Sequence, residues 1–506
     1  MTESDSQVAH REFGRQFIGG LTWTAGAQLA SQIVTFMAGV LLARLLSPGQ
    51  FGIVAMALVY TTFVSLLGEM GFTAAIVYFD DLNNEDLSTM YWVNLAINVL
   101  LFGGAVVLAP IVGRFFHDTE VVPVVKVASM GLVLYALGGV QRTLLGKQMD
   151  FRRLARNRFV GSVAYATVSV LLALSGRGVW ALVAGRLIEQ AADSALAAFT
   201  GSWRPTFTFR LASFRRLLGY GSRVWAGNML FYGQENIDNL VVGRMLGATP
   251  LGYYALAFRL ANVPRWFFSG VVGSVMFPSF SSSRHQPAVL KSVYLRVCSY
   301  SIVIALGLGT GMALVAREFV QVVYGSNWLP SVPALQLLAV AAGVYCVSQV
   351  VGPVLLALGR PGLQTKLLLG SSSVLLLGAR LGVRWGITGV ALSVLAAVTV
   401  AFGLGQFFVI RELAINSREY RQTIGPPVVA ITVMSAAVLL WRWLGGSMLD
   451  VESGIWLALA IAIGAVALGI GLIIAKAPQA ADVIAIAQSL RIGGGSREIE
   501  EDDSVA

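Results

Sequence analysis

Apolar runs of roughly the 20 residues needed to cross a bilayer follow one another along nearly the whole chain, separated by short polar stretches. They predict helices at 17–44, 51–75, 88–112, 124–145, 158–176 and 178–200, then at 219–245, 252–278, 293–315, 331–358, 363–383 and 387–410, with a last pair at 425–444 and 454–475. The expected organisation is a polar segment 1–16, a six-helix lobe 17–203, a connector 204–218, a second six-helix lobe 219–412, two additional transmembrane helices within 413–476 and a tail 477–506. In the connector, Phe207, Phe209, Leu211, Phe214 and Leu217 are interspersed with Arg210, Arg215 and Arg216. That pattern predicts an amphipathic helix at the membrane surface; a plain linker with topogenic arginines is the other reading. A short surface helix is expected at 480–490, and the acidic, glycine-rich end beyond it is expected to be disordered.

One run is far more polar than the rest. Between Leu217 and Phe258, a helical projection at about 100° per residue gathers Asn228, Glu235, Asp238 and Asn239 into an arc of roughly 100°, with Gln234 and Asn236 on its flanks. An ionisable group at membrane depth costs about 2.5–3.5 kcal/mol on insertion scales and normally faces a bundle interior or a water-filled cavity. The arc therefore points to a cavity between the lobes, with Glu235 and Asp238 as ion-coupling candidates. The plainer reading is polar glue between helices.

The same run exposes a repeat. Moved back by 200 positions it falls on Phe17–Leu58, and Gly19, Arg44, Leu46, Gly52, Ala55 and Ala57 meet Gly219, Arg244, Leu246, Gly252, Ala255 and Ala257. Gln28, Gln32 and Thr35 stand where the second copy has Asn228, Tyr232 and Glu235, so the first copy keeps polarity without charge. An even number of crossings between copies makes the halves parallel, and transporter sites lie at such repeat interfaces.

Other charges lie at depth. Arg186, Glu189, Gln190 and Asp193 form one stripe of the sixth helix, in which Arg186 can satisfy Glu189 and Asp193 lacks an obvious partner. Arg259, Asn262 and Arg265 surround Pro264, which frees a carbonyl and permits a kink. A planar guanidinium binds phosphate bidentately and stays ionised, so Arg259, Arg265 and Arg186 are the candidate cations for an anionic head group. Asn228, Asn239, Gln28, Gln32 and Asn262 are candidate cavity-lining polar groups. Glu69 and Arg142, each at the inner end of its helix, are a candidate gate pair, and Arg44 and Arg244 are expected to snorkel to the outer interface. GLGTG at 307–311 sits mid-span with no preceding strand, which fits close helix packing rather than a nucleotide loop.

Composition narrows the classes. With 56% apolar and 12% charged residues and a mean hydropathy of +0.73, the fold class is an all-α polytopic membrane protein of about fourteen transmembrane helices. The net charge of +10 is carried by loop arginines that set topology rather than by a nucleic-acid site. Their distribution, with Lys147, Arg152, Arg153, Arg156, Arg210, Arg215 and Arg216 on the side of the N-terminus, places both termini in the cytoplasm. Cys298 and Cys346 lie within apolar spans and imply neither disulfide nor metal. With no Walker motif and no loop long enough for a soluble domain, neither an enzyme nor a cofactor is expected.

Several segments, in order, carry a family resemblance: QFGIVAMAL, EMGFTAAIV, LSTMYWVN, QRTLLGKQMDFRRLA, VVGRMLGATPLGYYALAF, MFPSF and YGSNWLPSVPALQLLAV. In these the chain, from about residue 15 to 420, resembles the polysaccharide-transport and O-antigen (Wzx-type) flippases of the multidrug/oligosaccharidyl-lipid/polysaccharide exporter superfamily. The resemblance implies two lobes around a central cavity in the cytoplasmic membrane. It also implies translocation of an undecaprenyl-diphosphate-linked oligosaccharide, with membrane lipids, a polysaccharide polymerase and chain-length machinery as partners. A cation-coupled multidrug exporter and a lipid II flippase are the alternatives within the superfamily; the buried arginines favour an anionic substrate.

Overall fold

The computed structural model describes residues 26–265, 286–445, 453–477 and 479. Among these residues the regular structure is helical, with no strand, as expected where backbone groups in lipid must be satisfied within their own segment. Nine of the described helices are long and apolar enough to cross a membrane, and one bent pair makes up to a tenth. The chain is a multi-pass membrane protein. The segment 1–16, the MFPSF motif at 276–280 and the surface helix expected at 480–490 lie outside the described residues.

Contacts divide the chain into two compact units, residues up to Ala255 and residues from Leu256 onward. The division falls later than the boundary at 219 read from the sequence, because the seventh long helix packs on helices of the first unit.

The first unit contains α1 (Gly26–Leu45), α2 (Pro48–Glu69), α3 (Phe72–Tyr78), α4 (Asn84–Phe116), α5 (Val121–Ala128), α6 (Met130–Leu137), α7 (Gly139–Lys147), α8 (Phe151–Leu174), α9 (Val179–Thr200) and α10 (Leu211–Leu246). It also takes in the start of α11 (Ala248–Ala261). Helix starts are set by local chemistry. Ser47 Oγ accepts from Gln50 N at 3.4 Å while Gln50 Oε1 accepts from Ser47 N at 3.0 Å, a reciprocal cap followed by Pro48 in the first turn. Asn83 and Asp86 cap α4 in the same way. The helix expected at 124–145 is broken: Val121–Leu137 and Gly139–Lys147 meet at 45°. The break falls at Gly138, where an added Cβ would lie 2.6 Å from Ser194 Cα of α9.

Of the connector 204–218, read as a surface helix or a plain linker, only the second half is helical. Residues 201–210 are not helical, and Leu211 opens α10 directly. At 36 residues and 1.5 Å per residue, α10 is about 54 Å long. The non-helical segment is held by the first turns of α4. Trp203 Nε1 donates to Asn84 Oδ1 (2.6 Å), Thr206 N to Ser88 Oγ (3.0 Å), Trp92 Nε1 to Thr206 O (2.9 Å) and Arg210 N to Thr89 Oγ1 (3.0 Å). Phe207 stacks on Trp92 at 4.7 Å. The spacing of Phe207, Phe209 and Leu211 is the period of two proper to extended chain.

The repeat is visible in the packing of the first unit. A Cβ on Gly52 would lie 1.8 Å from Ala248 O, and one on Gly252 would lie 1.9 Å from Pro48 O. Positions 48 and 52 thus meet 248 and 252 reciprocally, as two copies do about a shared axis.

The second unit holds the remainder of α11, then α12 (Pro287–Ser301), α13 (Gly307–Leu314), α14 (Ala316–Val323), α15 (Val332–Ser348), α16 (Val351–Ala357), α17 (Pro361–Gly382), α18 (Gly386–Glu412), α19 (Ser417–Gly445) and α20 (Gly454–Ile474). A π-turn at Ile302–Leu306 joins α12 to α13 in one span. Within GLGTG, Gly309 lets α13 approach α15 closely: a Cβ there would lie 2.3 Å from Ala339 O. The segment is a packing surface. In the last hairpin α19 and α20 touch at Gly471 and Ala430, and Arg442 Nη2 of α19 pairs with the buried Glu318 of α14 at 3.2 Å.

Candidate functional site

The polar groups of α10 take two different environments. Toward its C-terminal end, Asp238 is 2% exposed and fully engaged: Tyr254 Oη of α11 donates to Oδ2 (2.7 Å), and Asn239 donates to Oδ1 from its backbone N (2.8 Å) and from Nδ2 (3.3 Å). A buried carboxylate survives when hydrogen-bonded, and this one is supplied from its own unit. Asp238 and Asn239 are therefore enclosed in this conformation rather than facing open space. Asn228 is exposed, Glu235 half-buried, and Asn236 Nδ2 donates to Tyr232 O at 3.1 Å. Two aromatic side chains fasten α10 to α2: Trp225 Nε1 donates to Leu66 O and Tyr232 Oη to Val59 O, both at 2.7 Å. Arg244 donates to Arg114 O (3.2 Å) and to Phe115 O at the end of α4, satisfying carbonyls that a helix terminus leaves open.

The charges of α7 and α9 pair in a way the sequence did not indicate. Arg142 does not meet Glu69; its Nη1 lies 3.0 Å from Asp193 Oδ2 and 2.8 Å from Ser194 Oγ, and Nη2 donates to Tyr135 O. Its guanidinium also lies 4.0 Å from the Tyr135 ring centroid. The bend at Gly138 swings α7 so that Arg142 faces α9, which accounts for both the missing gate pair and the partner of Asp193. Glu69, half-buried at the end of α2, has no ion-pair partner among the described residues. Arg186 does satisfy Glu189 one turn away, at 2.5 Å. Of the first-copy polar residues, Gln28 is exposed and accepts from Arg158 Nη1 at 2.8 Å, and Gln32 is half-buried.

In the second unit Arg259 and Arg265 are both half-buried. Arg265 is oriented by two groups: Nη1 donates to Asn262 Oδ1 (2.9 Å), and the guanidinium lies 4.0 Å from the Tyr345 ring centroid. Asn262 is itself held by its Nδ2 donating to Phe258 O at 2.8 Å. The helix is interrupted at Asn262, two residues before Pro264. Planar forks held in place on apolar helices are suited to phosphate.

Three tyrosines that complete these contacts escaped the sequence reading: Tyr254, Tyr135 and Tyr345. Each is an aromatic in an apolar run, with no local pattern to separate it from the core. The loop acids at 80–86 are likewise engaged: Arg216 reaches Asp81 (2.6 Å), Arg210 reaches Glu85 (2.8 Å), Lys147 reaches Asp80 (3.2 Å), and Ser213 Oγ donates to Asp86 Oδ1 (2.5 Å). The Arg216 guanidinium holds the Asp81 carboxyl below its ordinary range.

The model of a family described as "Polysaccharide biosynthesis protein" matches residues 41–333, more than half of the chain. The chain belongs to the polysaccharide biosynthesis protein family. That membership agrees with the resemblance carried by its motifs. Among relatives of this family member, the teichuronic acid biosynthesis protein TuaB of Bacillus subtilis is 26% identical over 468 residues, covering 89% of this chain and 94% of that one. The lipopolysaccharide biosynthesis protein WzxC of Escherichia coli is 26% identical over 410 residues, covering 80% and 83%. In fold, the chain is similar to the lipid II flippase MurJ in an inward closed conformation, with a TM-score of 0.73 at 14% identity over 88% of this chain and 97% of that one. It also resembles an inward-facing multidrug transporter of the MOP superfamily, with a TM-score of 0.61 at 15% identity over 76% and 94%.

Proposed function

We propose that this chain is a flippase that moves an undecaprenyl-diphosphate-linked oligosaccharide across the cytoplasmic membrane by alternating access, with both termini in the cytoplasm. The observation that carries the reading is the pairing of a polysaccharide biosynthesis family member with a transporter fold whose described helices are joined by short loops. Such a chain has apolar helices and oriented guanidinium groups, and it carries no separate soluble domain among its described residues. Transport, not sugar chemistry, suits that equipment.

In this reading Arg259 and Arg265 hold the diphosphate, and Asn262 and Tyr345 orient Arg265 for it; Arg186 stays with Glu189. Asn228, Gln28 and Gln32 line the path. Glu235 is the accessible coupling acid; Asp238 takes part only if Tyr254 releases it, and a coupling ion acts through its differential affinity for the two conformations. Glu69 and Arg142 act separately rather than as a gate pair.

Deletion of the gene tests the proposal. The expected result is loss of surface or secreted polysaccharide with lipid-linked repeat units accumulating on the inner leaflet. Normal polymer with altered drug tolerance would move the assignment to a multidrug exporter, and a defect in peptidoglycan precursors to a lipid II flippase.

A further inference from the structure

The start of α8 carries a charge cluster that the transport reading does not use. Arg152, Arg153 and Arg156 line, with Asp150, a pocket of about 420 Å³. All three arginines are exposed. Among the described residues Asp150 is the one acid lining the pocket, and it is committed to Arg153: Oδ1 accepts from Arg153 N at 3.1 Å and Oδ2 lies 3.2 Å from Arg153 Nε. Arg153 Nη1 is further tied to Thr200 O at 3.2 Å. Arg156 has neither a hydrogen bond nor an ion pair among the described residues.

This placement is unfavourable for the helix alone. Cations in the first turns oppose the helix dipole, and Arg152 and Arg156, four residues apart, repel each other across one face. A bound anion between them reverses both effects. Its setting is apolar on one side: Met149 is 57% exposed and Phe151 36% exposed, directly beside the arginines. Exposed apolar side chains next to basic ones mark a segment at a membrane surface, where phosphate-bearing head groups are concentrated.

From this pocket of three arginines beside an exposed Met and Phe we infer a binding site for the phosphate groups of an anionic lipid head group. The forks of Arg152 and Arg156 take the phosphate oxygens bidentately, while Arg153 is held as the wall. The source is either a bulk anionic phospholipid or the polyprenyl diphosphate of a lipid-linked sugar, and the site does not depend on whether the chain flips anything.

Native mass spectrometry of the full chain tests it, with phosphatidylglycerol, phosphatidylcholine and a polyprenyl diphosphate each added at equal concentration. The wild-type chain is expected to retain an anionic lipid over phosphatidylcholine. Arg152→Gln with Arg156→Gln should weaken that retention about 30-fold, taking two surface cations at the usual worth of each. Selective loss of phosphatidylglycerol identifies bulk phospholipid as the source; selective loss of the diphosphate identifies the carrier lipid. Unchanged retention of both in a variant with wild-type thermal stability overturns the site. Should the double variant unfold, Arg156→Gln alone removes a side chain with no hydrogen bond or ion pair among the described residues, and is expected to weaken retention about 5-fold; no change there overturns the site equally.

Discussion

Asp238 shows how a buried acid is kept in place on this chain. Its three hydrogen bonds come from Tyr254 and Asn239; Asn239 stood in the same polar arc of the sequence, but its bonds to Asp238 were not legible there. Tyr254 lies sixteen positions away on another helix, a distance no helical period reports. Removing its hydroxyl leaves Oδ2 without a donor, a loss worth roughly 1–3 kcal/mol in a buried setting. Tyr254→Phe should therefore lower thermal stability in detergent, and Asp238→Asn in the same background should recover part of the loss. Arg142 and Asp193 give a second case. Because they touch at 3.0 Å, Arg142→Gln and Asp193→Asn should be non-additive, with a coupling energy of about 1–2 kcal/mol in a double-mutant cycle. Glu69→Gln, by contrast, should stay within about 0.5 kcal/mol of wild type.

At the scale of elements, helix positions followed from apolar run length, since a bilayer permits little else, whereas breaks and partners did not. The connector stayed open between a surface helix and a plain linker because phenylalanine and arginine in quick succession fit both, and the hydrogen bonds of residues 203–210 to the start of α4 hold that part as a non-helical linker. Those bonds are reinforced by Arg216 and Asp81. With its carboxyl lowered by Arg216, the pair is intact above the ordinary aspartate value near 3.9 and is lost as the pH falls through the lowered one. Protection of the amides at residues 206–213, taken relative to their intrinsic exchange rates at each pH, should accordingly be unchanged between about pH 7 and 5, while Asp81→Asn should lower it slightly at pH 7, the pair being exposed. The repeat makes a sharper demand. A side chain at Gly52 or Gly252 meets a backbone carbonyl of the other copy, so Gly52→Ala and Gly252→Ala should each destabilise the first unit by about 1–3 kcal/mol or more. Gly103→Ala, where an added Cβ meets nothing within 4 Å, is the matched control and should be tolerated.

For the molecule as a whole, the family and the multi-helix membrane fold were readable from ordered motifs and apolar runs, and the partners of the candidate site residues were not. Residue types suited to phosphate stood out at Arg259 and Arg265; the groups that orient Arg265 emerged only with the helices in place. The central claim is that this chain carries a lipid-linked oligosaccharide between leaflets, and its most direct test is reconstitution. The purified chain would be placed in liposomes with a fluorescent polyprenyl-diphosphate oligosaccharide, and the fraction of label reachable by a membrane-impermeant quencher followed over time. The account predicts faster exchange between leaflets than in protein-free liposomes, with the rate falling at least about tenfold in an Arg259→Ala, Arg265→Ala variant of normal stability, since each guanidinium–phosphate contact is charge-assisted. Exchange no faster than in protein-free liposomes, from a folded wild-type chain, would contradict it.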